Sequence, residues 1–293
     1  MKRIVVAVLL GFTLLGCEKK VDLDLEEVPP KLVVEASIEI GEAPVVILTK
    51  SLAYFSSISP QLLVNSFVRG AEVSISNGSL THKLKEYSVV LAPGFALYYY
   101  STDSSNLATA FTGQLNTAYN LEIKSEGQTY TSKTTIPGYN KVLDSIWFKP
   151  VVGDTSNKEV QVYVRAKDPQ GFGNYIRYWT KRNRGNFLPG NVSVYDDLVI
   201  DGTQYDILVE PGIDRNEDNV FDPPPFLRGD TVTLKLSGID KPTYDFWRTM
   251  EYTYQSVGNH FSTPIKVLSN ISNGALGYFG GYASQYKTII IPR

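Results

Sequence analysis

The chain has 293 residues, 43% of them hydrophobic and 20% charged, so it carries enough apolar side chains for packed cores and is not wholesale disordered. Its formal net charge of −2 lacks the basic excess of a nucleic-acid binder. A single Cys excludes an intrachain disulfide, and with only 2 His it leaves too few soft ligands for a Cys/His zinc site.

Residues 1–16 read as a signal peptide. Lys2 and Arg3 form its positive start. The uncharged run from Ile4 to Gly16 is too short for a bilayer-spanning helix, which needs about 20 residues. The run ends in Leu14-Leu15-Gly16-Cys17, which resembles a bacterial lipobox. That resemblance implies cleavage before Cys17 and acylation of its sulfur by palmitate-type chains, each buried methylene contributing about 0.8 kcal/mol to anchoring. Residues 17–30 then form the lipidated Cys and a charged tether that closes on Pro29-Pro30. The acidic residues of the tether resemble the export signals of surface-exposed lipoproteins in Bacteroidetes, although Lys19-Lys20 interrupts them; a solvated linker accounts for the same residues.

Residues 31–138 read as a first β domain. From Lys31 to Ile40 the apolar residues Leu32, Val34, Ala36, Ile38 and Ile40 alternate with polar ones, the period of a half-buried strand. Gly41 to Pro44 is a turn, Val45 to Thr49 a second strand, and Ser51 to Gly70 a long loop with a helical turn. Ala71, Val73 and Ile75 alternate up to the hairpin signal Asn77-Gly78, with a return strand over Thr81 to Glu86. Strands follow at Phe95–Tyr100, around Leu121 and Ile123, and at Gln128–Thr135. The succession of Gly-Ala-x-Val-x-Ile, Pro-Gly and Tyr-x-Leu-x-Ile resembles the sandwiches of transthyretin-like and carboxypeptidase-regulatory-like domains, which imply binding or spacing rather than catalysis.

Ile136-Pro137-Gly138 marks the expected boundary, and residues 139–293 read as a second domain. Val160, Val162, Val164 and Ala166 alternate before the turn Asp168-Pro169-Gln170-Gly171, and Asn174 to Lys181 pairs with them. Further strands are expected over Val192–Ile200, Gln204–Val209 and Thr231–Leu236. A helix near 241–257 begins with Asp240 as N-cap and Pro242 in its first turn; Phe246, Trp247, Met250 and Tyr254 fall at helical spacing, as for a face packed on a sheet. The fold class is therefore mainly β: an N-terminal transthyretin/Ig-like β-sandwich, then a second mostly-β domain with one prominent helix.

Three blocks carry a wider resemblance. They are Asp168-Pro-Gln-Gly-Phe-Gly-Asn174-Tyr175-Ile-Arg177, then Phe226-Leu-Arg228-Gly229-Asp230-Thr231-Val232, and Tyr244-Asp-Phe246-Trp247 with Phe261 to Pro264 and Ser269 to Phe279. With the lipobox and the first sandwich they resemble, over nearly the whole chain, the Bacteroidetes lipoprotein family catalogued as domain of unknown function 4249. The resemblance implies a lipid anchor in the outer membrane, on its periplasmic or cell-surface face. It also implies an accessory, binding role beside a TonB-dependent transporter in nutrient uptake, with a glycan or peptide as cargo. A stand-alone surface adhesin or glycan-binding module is the alternative, and a hydrolase with an unrecognised carboxylate pair a lesser one. No catalytic residue follows from the resemblance, and the chain is read as a non-enzyme.

Few residues point to chemistry by themselves. Asp214, Asn216, Asp218 and Asp222 space oxygen ligands as in the front half of a calcium loop, and Asn219 can take the left-handed turn position. Pro223-Pro224-Pro225 stands where the closing carboxylate belongs, so a solvated Asx-rich loop explains the run as well. Ca²⁺ is the only cofactor this pattern admits. Ser145 and Thr231 sit in Asp-Ser-Ile and Asp-Thr-Val, which fit the short O-glycosylation motif known in Bacteroidetes. Tyr98, Tyr99 and Tyr100 alternate along one strand, so at least one faces outward and offers an interface anchor. His82 and His260 lie outside any nucleophile-elbow motif and read as surface or packing residues. Gly277 to Gly281 lacks the Lys-Ser/Thr of a phosphate loop and reads as a strand with a bulge.

Overall fold

The computed structural model describes residues 29–52, 58–139, 141–215, 223–257, 262–263 and 265–293. The strands of its first half are β1 (Leu32–Glu39), β2 (Val45–Lys50), β3 (Glu72–Ser76), β4 (Thr81–Lys83), β5 (Lys85–Ala92), β6 (Phe95–Ser101), β7 (Thr117–Ser125) and β8 (Gln128–Ile136), with a short helix at Pro60–Ser66. Its second half holds β9 (Val142–Pro150), β10 (Glu159–Lys167), β11 (Tyr175–Arg182), β12 (Leu188–Tyr195), β13 (Gln204–Val209), β14 (Phe226–Leu227), β15 (Thr231–Ile239) and β16 (Leu276–Ile290). A long helix, Lys241–Ser256, lies between the last two strands.

The architecture is mainly β and sandwich-like. An eight-stranded sheet runs in the order β12-β11-β15-β16-β1-β2-β6-β5. Two four-stranded sheets pack on it: β4-β3-β7-β8, and β10 with its partners β9, β13 and β14. Strand alternation sorts the side chains. Val34, Ala36 and Ile38 of β1 and Phe279 and Ala283 of β16 meet Val73, Ile75, Leu121 and Ile123 in a first core. Ile176 and Tyr178 of β11 and Val232, Leu234 and Leu236 of β15 meet Val160, Val162 and Val164 of β10 in a second. Gly238 and Ala283 are register partners, so both cores lie on the same face of the large sheet. Each fully buried Val, Leu, Ile or Phe contributes about 1.5–3 kcal/mol. Tyr175, Trp179, Tyr278 and Tyr282 point to the opposite face, beneath the long helix.

The boundary expected at residue 138 does not separate two sheets. β16, from the far end of the chain, pairs in parallel with β1 and supplies Phe279 and Ala283 to the first core. Alternation tells which face of a strand is buried, not which strand lies beside it. The strand expected over 174–181 accordingly pairs with β15 and β12 rather than with β10, and two strand limits differ for the same reason. The return strand expected over 81–86 divides at Leu84, where β4 stays with β3 and β5 crosses to the large sheet beside β6. The strand expected over 192–200 ends at Tyr195, and Asp197 to Ile200 turn away from the sheet.

The run read as a bulged strand is instead continuous: residues 276–282 pair in unbroken register with residues 33–39. Glycine makes this approach feasible. Gly277 has φ +92°, and a Cβ there would stand 1.9 Å from the Val34 carbonyl oxygen. A Cβ on Gly281 would stand 2.8 Å from the Thr135 carbonyl group, where β8 of the facing sheet crosses.

The helix is tied to both halves. The Asp240 carboxylate accepts hydrogen bonds from Thr243 N–H (3.1 Å) and Thr243 Oγ1 (2.6 Å) at the helix start, and from Thr134 Oγ1 (2.9 Å) and Thr135 N–H (2.8 Å) on β8. Farther along, the buried Arg177 guanidinium lies 3.3 Å from the Trp247 ring centroid and 4.7 Å from that of Trp179. Arg177 Nε donates to Ser193 Oγ (3.1 Å), and Ser193 donates through both its N–H and its hydroxyl to buried Glu251. Phe246, Trp247 and Met250 pack as expected from their spacing, but Tyr254 is 43% exposed under the Arg215 guanidinium.

Replacing Gly277 by Ala should cost about 2–4 kcal/mol, combining left-handed strain with overpacking against Val34. Gly274→Ala, also at positive φ but with open space around it, should cost only about 1–2 kcal/mol. Chemical denaturation of the two variants checks this, and equal losses would mean that the Val34 contact is unimportant.

Candidate functional site

The second sandwich is incompletely filled. A cavity of about 420 Å³ lies between the large sheet and the β9–β10–β13 sheet. Ile176, Tyr178, Val194, Leu234 and Leu236 line it from the large sheet, and Leu143, Val164, Ile207 and Val209 from the facing strands. Apart from Val194, which is the register partner of Arg177 and packs beneath the helix, these are the inward positions of alternating strands, so the wall is apolar by construction. Val199, almost fully exposed, joins Tyr195, Leu208 and Glu210 on the solvent side of the lining. Lys141, Tyr205, Tyr244, Asp196 and Ile200 complete it.

The polar groups of the lining are mostly phenols. The Tyr178 hydroxyl has no hydrogen-bond partner among the described residues, and a Cβ on Gly190 would come within 2.1 Å of it, so glycine leaves the space that it occupies. Burial raises the Tyr178 phenol well above its ordinary range. Burial, with the negative charges of Asp168 and Asp197 behind it, pushes Tyr205 up to about 12. Tyr244 is likewise pushed up to about 12, by burial and by donating to Asp196 Oδ2 at 3.0 Å. At neutral pH these three groups are uncharged hydrogen-bonding phenols in an apolar enclosure of the size that takes small molecules.

Lys141 connects the cavity to a group of carboxylates. Its Nζ lies 3.2 Å from Asp168 Oδ1, with both side chains fully buried. Asp168, Asp197 and Asp201 each bring a carboxylate oxygen within 4.8 Å of the others. Two loops produce this convergence. Gly171 N–H donates to Asp201 Oδ1 (2.7 Å), Gly173 N–H to Asp197 Oδ1 (3.1 Å), and Asn174 N–H to Asp197 Oδ2 (2.9 Å). Burial raises the Asp197 carboxyl, but the N–H groups of Asn174 and Gly173 outweigh it and hold the carboxyl below its ordinary 3.8. All the donors here are hard oxygens, a set suited to Ca²⁺ or Mg²⁺ rather than zinc.

The residues singled out in the sequence are dispersed. Cys17 lies outside the described residues, as do Asn216, Asp218, Asn219, Asp222 and His260; of the calcium-loop residues only Asp214 is described. Ser145 is exposed on β9, and Thr231 is half-buried at the start of β15, its N–H donating to Asn183 Oδ1 at 2.8 Å. Tyr100 is not an interface residue: it is 2% exposed, and its hydroxyl donates to Glu86 Oε2 (3.0 Å), lies 3.1 Å from Val68 O and accepts from Ala71 N–H. Tyr98 is half-buried under the Arg69 guanidinium, and Tyr99 stacks on Tyr87. His82 is a packing residue, buried with Nδ1 against Thr109 Oγ1 and Nε2 accepting from Asp103 N–H. Sequence reasoning missed Lys141, Asp168, Asp197 and Asp201 as a group. The quoted run from Asp168 to Asn174 was the available signal, but its partners lie more than twenty residues away on another loop.

Among known proteins, a family model described as a domain of unknown function (DUF4249) matches residues 18–288. No curated protein matches the chain.

The depressed carboxyl of Asp197 makes a signed prediction. A group whose folded-state pKa is lowered contributes stability above its unfolded pKa and loses it as pH falls through the folded one. Asp197→Asn should therefore cost about 1–3 kcal/mol at pH 7. The difference from the parent should shrink once pH falls below 3.8. Urea denaturation across pH 2–7 measures it, and a pH-independent difference would show that the charge of Asp197 is not what its N–H donors stabilise.

Proposed function

This chain belongs to the DUF4249 family, and from that premise we propose that it is a lipid-anchored outer-membrane binding protein that accepts a small apolar molecule in its second sandwich. Its anchor is Cys17, and it serves as an accessory subunit of a TonB-dependent transport system. It carries out no reaction of its own. The apolar cavity of about 420 Å³ carries the reading: burial of ligand surface at about 25 cal/mol per Å² supplies affinity, and the phenols of Tyr178 and Tyr205 supply hydrogen-bond selectivity. Contact with a larger partner has a supporting feature in β5, an edge strand whose Val89, Val90 and Leu91 are all exposed. No described helix is long and apolar enough to cross a membrane.

A glycan-binding role calls for a groove with Tyr or Trp walls. The open groove of about 750 Å³ beside β7 and β8 is lined by residues such as Ser74, Asn120, Glu122, Thr131 and Asn270, without an aromatic ring among them. A smaller groove of about 400 Å³ along the long helix does place Tyr244 and Tyr252 beside Arg248, Glu251 and Gln255, so the apolar-ligand reading rests on the apolar lining of the cavity in the second sandwich and not on the lack of an aromatic groove.

An uncharged environment-sensitive fluorophore, N-phenyl-1-naphthylamine, should bind the folded protein and brighten. Val164→Phe, which fills the cavity from β10, should weaken that binding at least about tenfold with the fold intact by circular dichroism. Unchanged affinity in the variant would remove the cavity from the reading. Purification of the tagged lipoprotein from mild-detergent membranes should recover one stoichiometric outer-membrane transporter. A partnerless preparation would end the accessory-subunit role in its stable-complex form.

A further inference from the structure

We propose that Asp168, Asp197 and Asp201 form a site for a divalent cation of the calcium class, at the junction of loops 168–174 and 196–203. The carboxylate oxygens lie within 4.8 Å of one another. Oxygen ligands 2.3–2.6 Å from one Ca²⁺ ion can stand at most about 5 Å apart, so the three fit around one ion.

A second observation points to a ligand. Asp168 is 1% exposed, and neither of its carboxylate oxygens accepts a hydrogen bond. A buried ionised carboxylate without hydrogen bonds is among the least tolerable groups in a protein interior. Lys141 Nζ, 3.2 Å away, balances one charge. It does not balance three: Asp197 is 1% exposed as well, and Asp201 is only partly exposed. Three carboxylates and one ammonium leave two negative charges, which a single divalent cation neutralises. The hydrogen bonds that Asp197 and Asp201 accept come from backbone N–H groups and from Asn174, so they orient the carboxylates without cancelling their charge.

The position gives the cation a role. Asp168 N–H donates to Thr203 O, and Gly202 N–H to Pro169 O, so the two loops already touch on either side of the carboxylates. Asp196, Val199 and Ile200 of the second loop line the cavity, and so does Lys141. A cation at the three carboxylates would pin that loop and hold the cavity wall in place. This inference stands whether or not the cavity takes an apolar ligand.

The test is titration of the full chain, stripped with chelator in mild detergent, with CaCl₂ alone and MgCl₂ as comparator. Ca²⁺ at a hundredfold excess over its Kd should raise the melting temperature by about 5 °C or more. Tb³⁺ should give tyrosine-sensitised luminescence that Ca²⁺ displaces. Asp201→Asn keeps an acceptor for the Gly171 N–H, so it should melt near the parent without metal while losing at least about tenfold in Ca²⁺ affinity. Asp218→Asn, in the separate Asp/Asn run, should leave the affinity unchanged. Lys141→Met should be destabilised without metal, rescued by Ca²⁺, and bind it more tightly than the parent. The proposal is overturned if Ca²⁺ changes neither melting nor luminescence. It is equally overturned if Asp218→Asn rather than Asp201→Asn abolishes the response, or if Lys141→Met stays destabilised at every Ca²⁺ concentration, which would make Lys141 the cluster's sole counter-ion.

Discussion

Everything in this molecule hangs on β16 lying flat against β1. The last long strand enters between β1 and β15, parallel to one and antiparallel to the other, and so makes a single eight-stranded sheet from the two halves of the chain. Backbone must approach backbone closely for this, and any side chain at Gly277 would collide with Val34. Once the strand is seated, alternation does the rest. Phe279 and Ala283 close the first core, and Tyr278 and Tyr282 meet the helix on the opposite face. Contacts between the two ends of the chain raise its contact order, which slows folding relative to a sheet built from local hairpins.

Buried charge is handled differently in two places. Under the helix, Arg177 and Glu251 are joined through Ser193, and two tryptophan rings cover the guanidinium. There the polar groups are matched, and the network fixes how the helix sits on the sheet. At the end of the cavity, Lys141 faces more carboxylate charge than it can neutralise, and Asp168 accepts no hydrogen bond. A matched network reads as structure, whereas an unmatched one reads as a place for a ligand. The cavity lies next to the unmatched group, so the loops that shape the apolar space also carry the surplus charge.

Much of this was legible residue by residue. The alternation of Leu32 to Ile40 and of Val160 to Ala166 marks strands with one buried face because side chains on a strand repeat every two residues. Asp240 followed by Pro242 marks a helix start because a carboxylate satisfies free N–H groups and proline needs none. Tyr100 misled for an instructive reason. Three adjacent tyrosines give no sign of which face of the sheet will be covered, and the first core covers the face that Tyr100 occupies.

The amino-acid sequence by itself determined the mainly-β class, the family, and those strands and that helix whose alternation or capping is local, because each depends on local periodicity, capping chemistry or motif order. Only the tertiary structure decided that β1 and β16 are neighbours, that a cavity remains inside the second sandwich, and that Asp168, Asp197 and Asp201 converge beside Lys141. These are relations between residues far apart in the chain. They are set by which buried faces pack together, and no local pattern encodes that.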